Sequence, residues 1–443
     1  MTTPVCDFVR KYAESCSIRM HMPGHKGQRF LGCEALDLTE IDGADNLSAP
    51  AGILAESEQN ASALFGCPTC YSAEGSSLCI RAMLYLAMLY ARHTGRKPVI
   101  LAERNAHRTF LTAAVLLDFE IVWLPPAGSY LQAVFSEKTL RETVDALPEP
   151  PCALWITSPD YLGNLADIRA ASAFCRSRGI LLLTDGAHGA YLRFLPQSLH
   201  PADLGADLCC TSAHKTLPVL TGGAYLHRAP SLPAFLTEQV RTALSLFSST
   251  SPSYLILQSL DAANAELEKA FPERLRMLLP MLDEMKNALT AAGWTLCGDE
   301  PMKLTLMPKS RGYTGAALAD VLKAQGIYAE FSDPDFLVLM PSPYSTAAEL
   351  NRVTAVLCGL PRLSPVTEEP PPLTVPERVL SPRDAMFAET VRLPLPECEG
   401  RICAELTVSC PPAVPVVMCG ERIDAAVLRV LSYYGVQSAT VIR

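Results

Sequence analysis

Through the first two-thirds of the chain, short apolar runs alternate with helix-length segments, and this alternation narrows the fold more than any other feature. The runs cover residues 99–102, 121–124, 153–157, 180–184 and 208–211, and stretches such as 80–92 and 168–178 between them carry the Ala and Leu of helices. A strand that is apolar along its whole length is covered on both faces, and strands separated by helices pair in parallel. The expected fold is therefore α/β, built on a mainly parallel sheet. In such sheets ligands collect at the carboxyl ends of the strands, so residues just after each run are the first candidates for chemistry.

Beyond residue 252 the pattern turns helical as far as about 292, and a strand, helix, strand series at 294–307, 316–325 and 336–340 predicts a small α/β lobe. Prolines cluster between 360 and 382, including Pro370, Pro371 and Pro372, where neither a helix nor a central strand can run. The expected division is a large domain over residues 1–260, a small α/β domain over 261–360, a Pro-rich linker over 361–382 and a small C-terminal domain over 383–443. At 443 residues and 49% apolar, the chain has the length and the core material for that many lobes.

Charge excludes some partners. With 37 basic against 46 acidic side chains and a formal charge of −9, the chain lacks the positive surface that nucleic acid or an anionic membrane selects. No stretch approaches the length of a membrane span, and MTTPVCDFVRKY at the start lacks a basic flank followed by an apolar core, so a cytoplasmic protein is expected. The 16 cysteines then read as reduced thiols acting as small buried hydrophobes. Cys67 and Cys70 have no second CxxC to complete a zinc site, and adjacent Cys209 and Cys210 do not share one tetrahedral ion easily. His21 and His25 flank Pro23 and Gly24, which rule out a helix presenting both rings on one face, and no metal site is expected.

Three segments carry chemistry. In TSAHKTLPVLTGG, from Thr211, Lys215 follows an apolar strand and is either a surface charge or a desolvated amine able to form a Schiff base with a carbonyl, with Ser212 placed to hold a phosphate. In LLLTDGAHGAY, Asp185 stands at the end of a run, where it either caps the next helix or pairs with a pyridinium nitrogen, and His188 either reaches the same pocket or is satisfied locally. In SAEGSSLCIRAML, Gly75, Ser76 and Ser77 open an apolar helix, as an ordinary cap or as an anion site of free N–H groups and hydroxyls. His107, after the strand at 99–102, is a surface loop residue or a ring that stacks on an aromatic cofactor.

These segments, with HMPGHKGQ from His21, DLTEIDGADNL from Asp37, TSPDYLGNLADI from Thr157, STSPSYLILQSLD from Ser249, SPRDAMFAE from Ser381 and AELTVSCPPAVPVVMCGERI from Ala404, resemble in order the signatures of the Orn/Lys/Arg decarboxylase family. The resemblance covers nearly the whole chain and is nearest the shorter bacterial arginine and lysine decarboxylase-like proteins. It implies PLP fold type I, the aspartate aminotransferase-like fold, with pyridoxal 5'-phosphate (PLP) carried on Lys215. It further implies that Asp185 pairs with the ring nitrogen and His107 stacks on the ring. Gly75, Ser76, Ser77, Ala187, His188, Ser212 and His214 would surround the cofactor. A homodimer with shared active sites, or a larger assembly, is implied as well, with Thr250 between Ser249 and Ser251 reaching the partner's phosphate.

The implied reaction is α-decarboxylation of a basic amino acid, arginine ahead of lysine or ornithine, to an amine of the polyamine pathway. Lys215 or His214 would return the proton, and Glu405 would face the cationic end of the substrate. Another PLP reaction, such as transamination or C–S lysis, and a silent paralogue are the alternatives. The chain departs from the family pattern at Glu74, where Asn is usual, and at Cys410, Ala413, Val414 and Cys419 near the C-terminus.

Overall fold

The computed structural model describes every residue except 16, 126–134, 373 and 409–413, so Cys410 and Ala413 lie outside the described residues. The chain forms two compact units, Met1–Lys97 with Cys152–Leu154 and Ile168–Glu273, and Pro98–Pro151 with Trp155–Asp167 and Arg274–Arg443.

Seven strands succeed one another in the first half of the chain: β1 (Thr69–Ser72), β2 (Val99–Ala102), β3 (Glu120–Trp123), β4 (Ala153–Thr157), β5 (Leu181–Asp185), β6 (Leu208–Thr211) and β7 (Ala224–Arg228). All five apolar runs are strands, two of them displaced by one residue. In the first unit the order is β1, β7, β6, β5. There β5 and β6 run parallel, while β7 is antiparallel to both β6 and β1. In the second unit β2 and β3 run parallel, as continuous apolar strands require.

Strands β1 and β7 escape a search for apolar runs because TCYS and AYLHR are half polar, yet nearly all their residues are buried. Their polar groups satisfy one another. His227, fully buried, bridges Thr69 Oγ1 and Thr211 Oγ1 at 2.9 Å on its two ring nitrogens, and His200 packs edge-on against it.

The helix Gly75–Thr94 is buried on several sides by Leu78, Ile80, Met83, Leu84 and Leu86, and it ends at Gly95 in the left-handed conformation. Tyr254–Ala291 is one helix of 38 residues that passes through positions 260 and 261 without a break. Leu257, Leu260, Leu267, Leu275, Leu278 and Leu282 keep one side of it buried.

In the second unit β8 (Thr295–Cys297), β9 (Leu304–Met307), β10 (Phe331–Ser332) and β11 (Leu337–Leu339) make an antiparallel sheet in the order β10, β11, β9, β8. The described residues of 361–377 carry neither helix nor strand, as their prolines dictate. Thereafter β12 (Thr390–Pro394) pairs with β15 (Ser438–Ile442), and β13 (Thr407–Val408) with β14 (Val417–Met418). Cys398, Val408, Val417, Ile423, Val427, Leu431 and Val441 form the core of that last segment.

Candidate active site

Asp185 is the last residue of β5, and Lys215 sits on the single helical turn Ala213–Thr216 that follows β6. The parallel register sets Asp185 opposite Cys210. Asp185 is 2% exposed, and its Oδ1 accepts from the Ala187 N–H at 3.1 Å and from the Cys210 thiol at 3.7 Å. Neither donor uses Oδ2. A buried carboxylate with an unengaged oxygen calls for a further donor, ideally a charged one. Burial, then Asp185 itself, pushes the Cys210 thiol well above its usual range, which keeps it the protonated donor.

Lys215 Nζ lies 3.0 Å from His188 Nε2. The ring that meets the lysine is therefore His188. His214 is turned toward the following loop, where its backbone N–H and Nδ1 both bond the Gly223 carbonyl, at 3.2 and 3.1 Å.

A second group of residues gathers at the start of the helix Gly75–Thr94. Ser212 Oγ donates to Ser76 Oγ at 2.9 Å, and the two side chains are 1% and 8% exposed. Ser77 follows in the same first turn, half-buried. Gly75 has φ +71, and a Cβ built there meets nothing within 4 Å, so open space lies before the helix N-terminus. The Gly222 carbonyl accepts the Gly75 N–H at 2.6 Å. Gly222 itself needs to be glycine, with φ +100 and the Ala73 carbonyl 3.2 Å from where a Cβ would stand. The paired glycines thus tie the lysine turn and the helix N-terminus to one loop.

This donor set suits a phosphate-bearing pyridine aldehyde. The first-turn N–H groups and two hydroxyls answer a phosphate, Asp185 Oδ2 answers a protonated ring nitrogen, and the Lys215 amine answers the aldehyde.

The remaining expected residues stand on other elements of the chain. His107, in the second unit, is exposed and caps the helix Arg108–Leu117, its Nδ1 accepting from Thr109 N–H at 3.2 Å. Glu405, also in the second unit, accepts the Thr440 N–H at 2.6 Å on one carboxylate oxygen. Thr250 is exposed and lines a cavity of about 310 Å³ with Glu74, Arg241, Ser248 and Ser249, and Glu74 holds the Ser249 N–H at 2.6 Å. Sequence reading overlooked Cys210 and Gly222 as parts of the site. The signal for Cys210 was its place in the strand before Lys215, which parallel pairing aligns with the carboxylate.

Residues 3–296 match the sequence model of the Orn/Lys/Arg decarboxylase major domain, and residues 372–440 match that family's C-terminal domain. An arginine decarboxylase of Halalkalibacterium halodurans is 30% identical, over 95% of this chain and 91% of that protein. The lysine decarboxylase LdcF of Francisella novicida superposes with a TM-score of 0.81 at 18% identity, over 100% of this chain and 81% of that one. A serine palmitoyltransferase from S. paucimobilis with a bound PLP–myriocin aldimine gives 0.54 at 17% identity, over 69% and 75% of the two chains. The fold is PLP fold type I.

Proposed function

Because the chain belongs to the Orn/Lys/Arg decarboxylase family, we propose that it is a PLP-dependent decarboxylase acting on arginine ahead of lysine or ornithine. The observation that carries the reading is the meeting, in one unit, of a buried carboxylate with a spare oxygen, a lysine paired to histidine, and a hydroxyl pair at a helix N-terminus. The arginine preference is supported by the curated arginine decarboxylases among the relatives.

When bound, PLP supplies an electron sink conjugated to the substrate's α-nitrogen. Ser76, Ser212 and the first-turn N–H groups of Gly75–Thr94 would hold its phosphate. Asp185 Oδ2 would accept from the ring nitrogen and hold a proton there. Lys215 must be uncharged to attack a carbonyl, and His188 Nε2 at 3.0 Å takes up or returns its proton. The same pair is placed to deliver a proton to Cα after carbon dioxide leaves, a role we assign to Lys215 and His188 rather than His214. In the active assembly, which we take to be a cytoplasmic homodimer, Thr250 would approach the partner's phosphate site, His107 would cover the ring and Glu405 would face the substrate's cationic end.

The test is borohydride reduction of the purified protein followed by peptide mass analysis, with amine release measured from arginine, lysine and ornithine. A pyridoxyl adduct on Lys215, absent from Lys215→Ala, with agmatine as the main product, is expected. An adduct with cadaverine or putrescine instead moves the substrate, and no adduct on any lysine overturns the reading. Light scattering reports the dimer.

A further inference from the structure

We infer that Cys210 is a positioning residue for the cofactor: its weak thiol hydrogen bond leaves the charge of Asp185 available to the ring nitrogen. The inference rests on the reading of Asp185 given above.

The register fixes the contact. Asp185 and Cys210 are partners on the parallel strands β5 and β6, so their side chains rise from the same face of the sheet. Cys209, next in the strand, turns to the other face, beside Cys67 and Asp203. Both Asp185 and Cys210 are buried, at 2% and 0% exposure. Asp185 Oδ1 is held by one amide N–H at 3.1 Å and by the thiol at 3.7 Å, a long contact from the weakest donor among the hydroxyl-like side chains.

A carboxylate solvated this sparingly puts most of its charge on whatever approaches Oδ2. A hydroxyl at position 210 has nearly the shape of the thiol but donates more strongly. It draws charge toward Oδ1 and weakens the bond to the ring nitrogen. An alanine there takes away the competing donor.

The full-length protein, stripped of cofactor, is titrated with PLP and with its 1-deaza analogue, in which carbon replaces the ring nitrogen. Dissociation constants are compared for the native chain, Cys210→Ser and Cys210→Ala. Cys210→Ser is expected to weaken PLP about fivefold to tenfold, the scale of one hydrogen bond, and to leave the deaza analogue within about twofold. Cys210→Ala is expected to bind PLP as tightly as the native chain or more so. Equal weakening of both ligands by Cys210→Ser means a packing role and overturns the inference. So does unchanged PLP affinity in Cys210→Ser, or a selective loss for PLP in Cys210→Ala. If the native chain fails to distinguish PLP from the deaza analogue, Asp185 does not meet the nitrogen and the underlying reading falls first.

Discussion

Arg104 and Glu421 form a buried two-pronged ion pair, with Nη1 to Oε1 at 2.5 Å and Nη2 to Oε2 at 2.7 Å, and side chains 6% and 1% exposed. The guanidinium also donates to the Pro415 and Val416 carbonyls, and Glu421 takes the Met418 N–H. Residue 104, two beyond β2, thereby secures Pro415, Val416 and Glu421. Breaking a buried pair strands its survivor, at a cost of about 3–5 kcal/mol. Arg104→Met is expected to lose that much in urea denaturation, and Arg104→Met with Glu421→Leu to recover part of it. A loss below about 1 kcal/mol for the single variant sinks the assignment.

The hydroxyl pair gives a cofactor prediction. A hydrogen bond to a charged group contributes about 1.5–3 kcal/mol, so Ser76→Ala and Ser212→Ala should each weaken PLP by roughly tenfold to a hundredfold. Fluorescence titration measures it. Free pyridoxal, which has no phosphate, should bind all three proteins alike; an equal loss for pyridoxal would show that the serines do not act on the phosphate.

Acid should weaken the fold through His200. Burial lowers its pKa from 6.5 to about 4, so the folded chain keeps the ring neutral. Below the unfolded pKa only the unfolded chain takes up the proton, and stability is lost as pH falls from about 6.5 toward 4. The loss approaches about 3 kcal/mol. His200 Nδ1 accepts the Ala202 N–H at the start of the turn Pro201–Leu204, a contact asparagine reproduces. His200→Asn should therefore show a shallower fall in denaturation midpoint between pH 7 and 5. Parallel pH profiles would refute this.

Asp261 anchors the first helix from a distance. Pro4–Glu14 has no side-chain cap of its own, and buried Asp261 supplies one, taking the Cys6 N–H at 2.9 Å on one oxygen and the Ser57 hydroxyl at 2.5 Å on the other. Ser57 in turn meets Tyr71, which Asn264 also bonds. Asp261→Ala should raise amide hydrogen exchange across residues 5–9 by at least about tenfold, since a lost cap is typically worth ~1 kcal/mol and the stranded donor adds to it. Unchanged protection there would dismiss the anchoring role.

What could be read in advance followed from periodicity and from local spacing. The five apolar strands, the helix after Gly75 and the Pro-rich stretch all rest on neighbours in sequence, whereas the meeting of Lys215 with His188, 27 residues apart, does not. Strands β1 and β7 stayed hidden because their burial depends on polar pairs, Thr69 with His227 and Thr211 with His227, made across long separations. Cys210 was visible as a buried residue but not as a donor, since that role exists only once β5 and β6 are in register. Gly222 read as part of a loop until its carbonyl met Gly75.

The pairing of β1 with β7 has a consequence for synthesis. Thr69 and His227 face each other although 158 residues separate them. At about 5–20 residues per second, β1 leaves the ribosome roughly 8–30 s before its partner exists. Throughout that interval its backbone edge is open to any passing strand, including the same segment of a neighbouring nascent chain. Yield in the cell should therefore be governed by chaperone capacity and translation speed between codons 72 and 228 more than by the stability of the finished fold.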